Sequence, residues 1–509
     1  MKTVFVLFDS LNRLAISPYC KDVETPNFDR FMQKAVTFDR HYTGSLPCMP
    51  ARRDIQTGRP SFMHRSWGPL EPYDVSLPQE LSRAGVHTHL ITDHFHYFED
   101  GGAHYHTRFD TYEFFRGQEH DQWHAQVEPP FEKYAGLYAA EHYDPKTRPG
   151  HVQHMINMDW IEEEAQLPGP ACFNAAFRFL DENAAADNWF LQLELFDPHE
   201  PFQVPDRFRR EGDSAWTGGA LNWPGYGKVE ESAEGVAEIR ATYAALVRMC
   251  DEYFGRLLDH FDRHDLWKDT MLVVSTDHGF LLSEHEWWGK CRMPSYEEVT
   301  HIPLMAYHPA QAGKGGERRQ ALTWTPDIMP SVLEAHGVAI PGAVRGRSFL
   351  PALETDIDDG RVVATAIFGG PIGVTDGRYV LHHVVEDFLA PGLYEYTLCP
   401  QHMRGPFSAK ELASAEMHPG FDFTQGMPLM KIEAQPDAKR VPNHDGFTFL
   451  DAEFRLYDLE ADPQQQSPIR DAGIEARLYR GLAGLLGTLD VPEQTMRWYG
   501  FDRIEAFGA

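Results

Sequence analysis

The run Thr3-Val4-Phe5-Val6-Leu7-Phe8 is apolar on both faces and stops abruptly at Asp9. A strand of that kind has to be covered on both sides, as in a sheet lying between helical layers. The same punctuation recurs along the chain. A helix at Leu77–Ala84 precedes a strand at Val86–Thr92, and a helix at Ala171–Asn183 precedes a strand at Trp189–Phe196, closed by Asp197 and His199. The long pattern Val236–His264 places Ile239, Tyr243, Leu246, Met249, Phe254, Leu257 and Phe261 at helical spacing. It feeds Thr270–Ser275, which stops at Thr276-Asp277-His278. Thr25-Pro26 reads as the N-cap and first turn of a further helix. Alternation of helix and strand up to residue 350 or so predicts an α/β fold: a large mixed, mostly parallel sheet sandwiched by helices.

In such sheets ligands bind outside the carboxyl ends of the strands. The polar residues that end three of these strands, Asp9, Asp197/His199 and Asp277/His278, are therefore expected to converge on one site. Beyond that region the texture changes to short strands (Thr365–Phe368, Gly377–Val385, Leu393–Leu398, Phe454–Leu459) and a closing helix, Ile474–Leu486. This predicts a catalytic unit over 1–354 and a smaller C-terminal α+β subdomain over 355–509. The stretch 99–170, rich in aromatic, His, Gly and Pro residues, reads as loops over the site. That stretch and 386–450 are the candidates for contacts in a homo-oligomer.

Charge narrows the partners. The 46 Lys and Arg against 76 Asp and Glu give a net −30, which argues against nucleic acid or an anionic membrane. A small anionic substrate remains compatible, because a pocket can be locally cationic on an acidic protein. No stretch approaches the length of a membrane span, and Asp9 ends the first apolar run too early for a secretory leader. The expected location is the cytoplasm. Six cysteines without a CxxC pair read as reduced thiols rather than a disulfide framework.

Carboxylates at Asp9 and Asp277 with an imidazole at His278 suit a hard or borderline divalent cation: Ca²⁺ foremost, with Mn²⁺ or Mg²⁺ as alternatives. Cys48 lies in Leu46-Pro47-Cys48-Met49-Pro50-Ala51-Arg52-Arg53-Asp54-Ile55-Gln56-Thr57-Gly58. A lone cysteine is by default a small buried hydrophobe. Here the Cys-x-Pro-x-Arg spacing with a downstream Thr-Gly resembles the signature of type I sulfatases. Further landmarks follow in the usual order: Thr25-Pro26-Asn27-Phe28-Asp29-Arg30, Asp197-Pro198-His199-Glu200-Pro201, Asp277-His278-Gly279, Glu284-His285, Trp288-Gly289-Lys290, Tyr296-Glu297-Glu298, Ile302-Pro303-Leu304, Gly346-Arg347-Ser348 and Leu456-Tyr457-Asp458-Leu459-Glu460-Ala461-Asp462-Pro463.

The resemblance implies an alkaline phosphatase-like fold and oxidation of Cys48 to formylglycine by a formylglycine-generating enzyme; the hydrate is then the nucleophile toward a small anionic ester. It implies that Asp9, the residue following it, Cys48, Asp277 and His278 hold one cation. Arg52 would bond the diol, Lys290 the sulfate oxygens, and His199 the leaving oxygen. Two positions depart from the pattern. Ser10 stands where relatives have a second acidic ligand, so a hydroxyl, Asn12 or water would fill that place. The Lys-x-His pair after the second strand is replaced by His94-Phe95-His96, which keeps donors near substrate but removes fixed charge. His94 and His96 are thus the substrate-binding candidates. The reading is a hydrolase of aryl or small alkyl sulfates, with a phosphonate monoester or phosphodiester hydrolase as the alternative.

Several further patterns are set aside. His199-Glu200 fails as a zinc-protease HExxH motif because Gln203 holds the second histidine's place. Gly225-Tyr226-Gly227 lacks the rest of a dinucleotide fingerprint. His87, His89, His104 and His106 read as strand and loop residues, not a second metal site. His402-Met403-Arg404 reads as a surface loop, with a segment reaching over the cleft as the alternative. The aromatic residues Phe95, Tyr97, Phe98, Tyr105, Phe114, Phe115 and Trp123 suggest either packing or an aromatic leaving group.

Overall fold

Every side chain of β1 (Lys2–Phe8) is buried, and its two faces feed different cores. In this computed structural model, which describes residues 1–507 apart from 141, 147, 292–293 and 435–451, Val4, Val6 and Phe8 join one apolar cluster while Phe5 and Leu7 join another. The alternation of the pleat thus explains why the run from Val4 to Phe8 is apolar on both faces. Around β1 lie β2 (Val36–Tyr42), β3 (His87–Thr92), β4 (Thr111–Phe114), β5 (Trp189–Leu195), β6 (Thr270–Thr276), β7 (Leu304–Tyr307) and β8 (Arg318–Trp324). The sheet runs in the order β8-β2-β7-β6-β1-β5-β3-β4. Only β7 is antiparallel to its neighbours, so the sheet is mixed and mostly parallel as expected.

Helices cover both faces. The helices are α1 (Pro26–Met32), α2 (Cys48–Thr57), α3 (Leu77–Arg83), α4 (Phe131–Leu137), α5 (Pro149–Met158), α6 (Pro168–Asn183) and α7 (Ala233–Arg263). α6 and α7 pack on one face with Phe173, Leu180, Ile239, Tyr243, Phe254 and Leu257. On the other face lie Met49 and Ile55 of α2, Leu77 and Leu81 of α3, and a later helix, Ile328–Ala335. The stretch 99–170 is not simply loops: β4, α4 and α5 fall within it. β4 is four residues long and α4 carries exposed Phe131 and Leu137, so neither has the periodicity that reveals an element.

The C-terminal part is built from an antiparallel sheet, Val363–Ala366, Ile372–Thr375, Tyr379–His383 and Arg455–Asp458, and a second one of Tyr394–Thr397, Leu429–Glu433 and Glu416–His418. The helix Ala472–Gly487 buries Leu478, Leu482 and Leu486 in a core that also contains Tyr42, Leu46, Phe62 and Trp324. One apolar cluster therefore joins the two ends of the chain. Of the predicted contact stretch 386–450, the part beyond Ala434 lies outside the described residues. No helix among the described residues is long and apolar enough to cross a membrane.

Candidate active site

The site is assembled by register. Phe8 of β1 pairs with Leu195 of β5 and with Thr276 of β6, so Asp9, Phe196 and Asp277 leave the sheet at one level. The strands stop there because each chain turns into polar contacts. Ser10 takes a left-handed φ of 60°, and its amide donates to Asp277 Oδ1 at 3.2 Å. The next element to arrive is α2, whose first residue is Cys48. Its side chain points to where the strands end.

Cys48 Sγ lies 2.9 Å from Lys290 Nζ and 3.3 Å from His278 Nε2. Ligand atoms of Asp9, Cys48, Asp277 and His278 all lie within 4.8 Å of one another, and all four residues are buried. The His278 ring is fixed by Nδ1–H donating to the Gly279 carbonyl at 2.9 Å, which leaves the Nε2 lone pair facing the centre. Ser10 Oγ donates to Asp9 Oδ1 at 2.8 Å and accepts from Lys290 at 3.2 Å. Asn12 is used otherwise: its amide donates to Phe280 O and its oxygen caps Leu14 N. Ser10 rather than Asn12 is thus the side chain beside the cluster.

Arg52 is one turn along α2 and only 1% exposed. It bonds Glu194 at 2.6 Å, Asp277 at 2.5 Å and Asp9 at 3.0 Å. Glu194 is the residue that sequence reasoning missed here. It stands in the middle of an apolar strand, buried completely, and also accepts from Tyr97 and Gln192. A lone carboxylate inside a buried strand has to be paired, and that was the available signal.

The electrostatics fit a cation. Burial alone would raise Asp9, but Lys290 and Arg52 hold it well below the usual carboxylate range. Burial and the neighbouring Asp9 charge push Asp277 up to about 6 and the Cys48 thiol upward as well. Burial and Lys290 push His278 down to about 3, so its imidazole is neutral and free to ligate. Asp9 Oδ2 is buried and, beyond its ion pair with Arg52, has no hydrogen-bond partner. Two carboxylates, a neutral imidazole and a hydroxyl around one point suit a divalent cation.

A cavity of about 710 Å³ opens above this cluster, with Cys48, Lys290, His199 and His96 in its lining. His199 is 3% exposed, and its Nδ1–H donates to the Glu200 carbonyl at 2.5 Å. Burial and Lys290 push its pKa down to about 3. His96 stands on the wall, 2.6 Å from Glu99. His94 lies beneath the floor. It is completely buried, its Nδ1 is 3.9 Å from Asp9 Oδ2, and neither ring nitrogen has a hydrogen-bond partner.

The rest of the cavity corrects the reading of the loops. Its aromatic lining is Trp67, Trp223 and Tyr226, and none of the aromatic residues between Phe95 and Trp123 borders it. Gly225 and Tyr226 belong to the wall although they bind no dinucleotide pattern. Met403 and Arg404 also reach it, so the segment read as a surface loop lies over the cleft. Arg404 is anchored there by Glu99 at 2.7 Å. A larger cleft of about 1110 Å³ runs past Arg13, Arg40, Arg240, Glu298 and His301. It contains neither Cys48 nor Lys290, and the candidate site lies on the smaller one.

Fold and donor set together define a hydrolase of the alkaline phosphatase superfamily. The sulfatase family model matches residues 2–338, and the chain belongs to that family of sulfuric ester hydrolases. Among curated proteins it is 27% identical over 383 residues to the multifunctional alkaline phosphatase superfamily protein PehA of Trinickia caryophylli, covering 65% of this chain and 71% of that one. It is 25% identical over 371 residues to an arylsulfatase of Clostridium perfringens, covering 65% and 74%. Among solved structures, the phosphonate monoester hydrolase of Agrobacterium radiobacter has a TM-score of 0.62 at 17% identity over 96% of this chain and 95% of that one. A protein solved with D-glucosamine-2-N,6-O-disulfate also has a TM-score of 0.62 at 17% identity, over 99% and 98%. These structural likenesses are of fold.

Proposed function

We propose that the protein hydrolyses sulfate monoesters of aryl or small alkyl alcohols, with formylglycine made from Cys48 at the centre of the site. The observation that carries this reading is the position of Cys48 Sγ, 2.9 Å from Lys290 and within ligand range of Asp9, Asp277 and His278 on the cavity floor. Asp9, Ser10, residue 48, Asp277 and His278 would hold one divalent cation, Ca²⁺ foremost and Mn²⁺ or Mg²⁺ next. When present, the aldehyde hydrate supplies an oxygen nucleophile and the cation supplies the charge that keeps it ionised.

The chain's own side chains do the rest. Lys290, held cationic against its burial by the Asp9 carboxylate, holds the sulfate oxygens where charge has to be balanced. Arg52 ties the N-terminal turn of α2 to both strand ends and so fixes residue 48 against the carboxylates. His199 presents Nε2 to the cavity because Nδ1 is committed to a carbonyl. It is neutral in the free enzyme and takes a second proton when the anionic ester enters, which it passes to the leaving oxygen. Substitution Cys48→Ala is expected to cut turnover by about 10⁴-fold or more while leaving thermal unfolding intact. Unchanged turnover in that variant contradicts the nucleophile assignment.

A second reading is favoured by His94 and His96. Imidazoles there replace fixed charge, and His94 is held neutral by burial and Arg52. A site with less fixed positive charge serves phosphonate monoesters and phosphodiesters, which carry the same single negative charge as a sulfate monoester. The relation to PehA and the fold shared with phosphonate monoester hydrolase support it. Turnover of a matched aryl sulfate, phosphonate monoester and phosphodiester separates the two: kcat/KM highest for the sulfate supports the first, and highest for either phosphorus ester supports the second.

A further inference from the structure

At the C-terminal end of α7, His260 lies in the last turn and His264 is the C-cap residue, one turn on, and both rings turn toward Asp181 of α6. We infer that Asp181, His260 and His264 form a second metal site, selective for a borderline transition-metal ion such as Zn²⁺, that clamps α6 to α7.

The spacing is the first reason. His260 Nδ1 lies 3.1 Å and His264 Nε2 2.7 Å from the same oxygen, Asp181 Oδ1, and the three ligand atoms fall within 4.8 Å of one another. A tetrahedral ion with bonds of about 2.0–2.1 Å has ligand atoms roughly 3.3 Å apart. The separations from Asp181 are thus already close to a coordination edge, and sub-ångström shifts complete the set. The i,i+4 placement is the second reason, since it puts both imidazoles on one helix face.

The surroundings favour ligation over a simple pair of hydrogen bonds. The His260 ring is held by Phe177, stacked at 4.6 Å with an interplanar angle of 7°, so one ligand is preoriented. The last turn of α7 contributes the negative end of the helix dipole, which favours a cation. Asp181 is 50% exposed and His264 23% at the side chain, leaving a fourth position open to water. Two imidazoles and one carboxylate match Zn²⁺, Ni²⁺ or Cu²⁺ better than Ca²⁺. An ion bound here holds α6 against α7 and stabilises the folded state by mass action.

The test is a calorimetric titration of the mature enzyme, with its catalytic cation in place, by Zn²⁺, with metal per chain counted after dialysis and unfolding followed by scanning fluorimetry. The expected result is one further Zn²⁺ per chain and a Zn²⁺-dependent rise in Tm. Both are lost in His264→Ala and weakened in Asp181→Asn, while basal turnover is unchanged. His264 is at the surface, so the alanine variant folds. No additional Zn²⁺ in the wild type, or uptake and Tm rise that persist in His264→Ala, overturns the proposal.

Discussion

Arg52 enters the site from the first turns of α2, and its guanidinium is divided among Glu194, Asp277 and Asp9. A planar group with five donors can serve three carboxylates at once, which a lysine cannot. The arrangement is costly to disturb. Arg52→Ala leaves Glu194 fully buried with no guanidinium, and removing one partner of a buried pair costs about 3–5 kcal/mol. Urea unfolding of that variant is expected to show a loss of this size, along with turnover; a loss below about 1 kcal/mol would mean that Glu194 finds its protons elsewhere. The candidate ligands Asp9 and Asp277 were legible because polar residues ending buried strands are conspicuous. Glu194 was not read, although it breaks the apolar pattern of its strand. Its partner is 142 positions away, and no local spacing links them.

Helix α1 shows how far element-level reading carries. Thr25-Pro26 marks its start correctly, yet the Thr25 hydroxyl accepts from the Ser17 amide and makes no cap bond to the helix. The cap comes instead from α7: Asp251 accepts from the amides of Asn27 and Phe28 and from the Asn27 side chain. Asp251→Ala is expected to destabilise the protein by about 1–2 kcal/mol in chemical unfolding, because the Phe28 amide is left buried without an acceptor; no measurable loss would show that another group caps the helix. The cavity wall formed by residues 99–120 gives a second test. Burial opposes protonation of His120, but Glu119 and Glu99 raise its pKa from 6.5 to about 9. A histidine raised on folding contributes stability that is complete below pH 6.5 and lost as pH climbs through about 9. Tm is therefore expected to fall more steeply over that window in the wild type than in His120→Gln, and parallel curves would contradict the pairing. This wall escaped the sequence pattern because its residues serve a pocket from short turns and not from a periodic face.

For the molecule as a whole, the central sheet was legible from its long buried strands. β2, β4, β7 and β8 were not: Asp39 and Arg40 interrupt the apolar pattern of β2, Arg318, Arg319 and Gln320 open β8, and β4 and β7 are four residues long. The cavity is harder still to foresee, since Trp67, Arg148, Trp223 and Arg404 come together only through tertiary folding. The finished fold also bears on maturation. Cys48 is 2% exposed beneath that cavity, and burial together with Asp9 raises its thiol pKa, so the folded chain offers a modifying enzyme neither access nor a thiolate. The proposed oxidation would therefore have to precede folding. The account rests on the chemical state of that one side chain, and peptide mass spectrometry of active protein from its native host reads it directly. The peptide spanning residues 43–59 is predicted to carry formylglycine, lighter than the encoded cysteine, in proportion to specific activity. Fully active protein with an intact thiol at position 48 would contradict it.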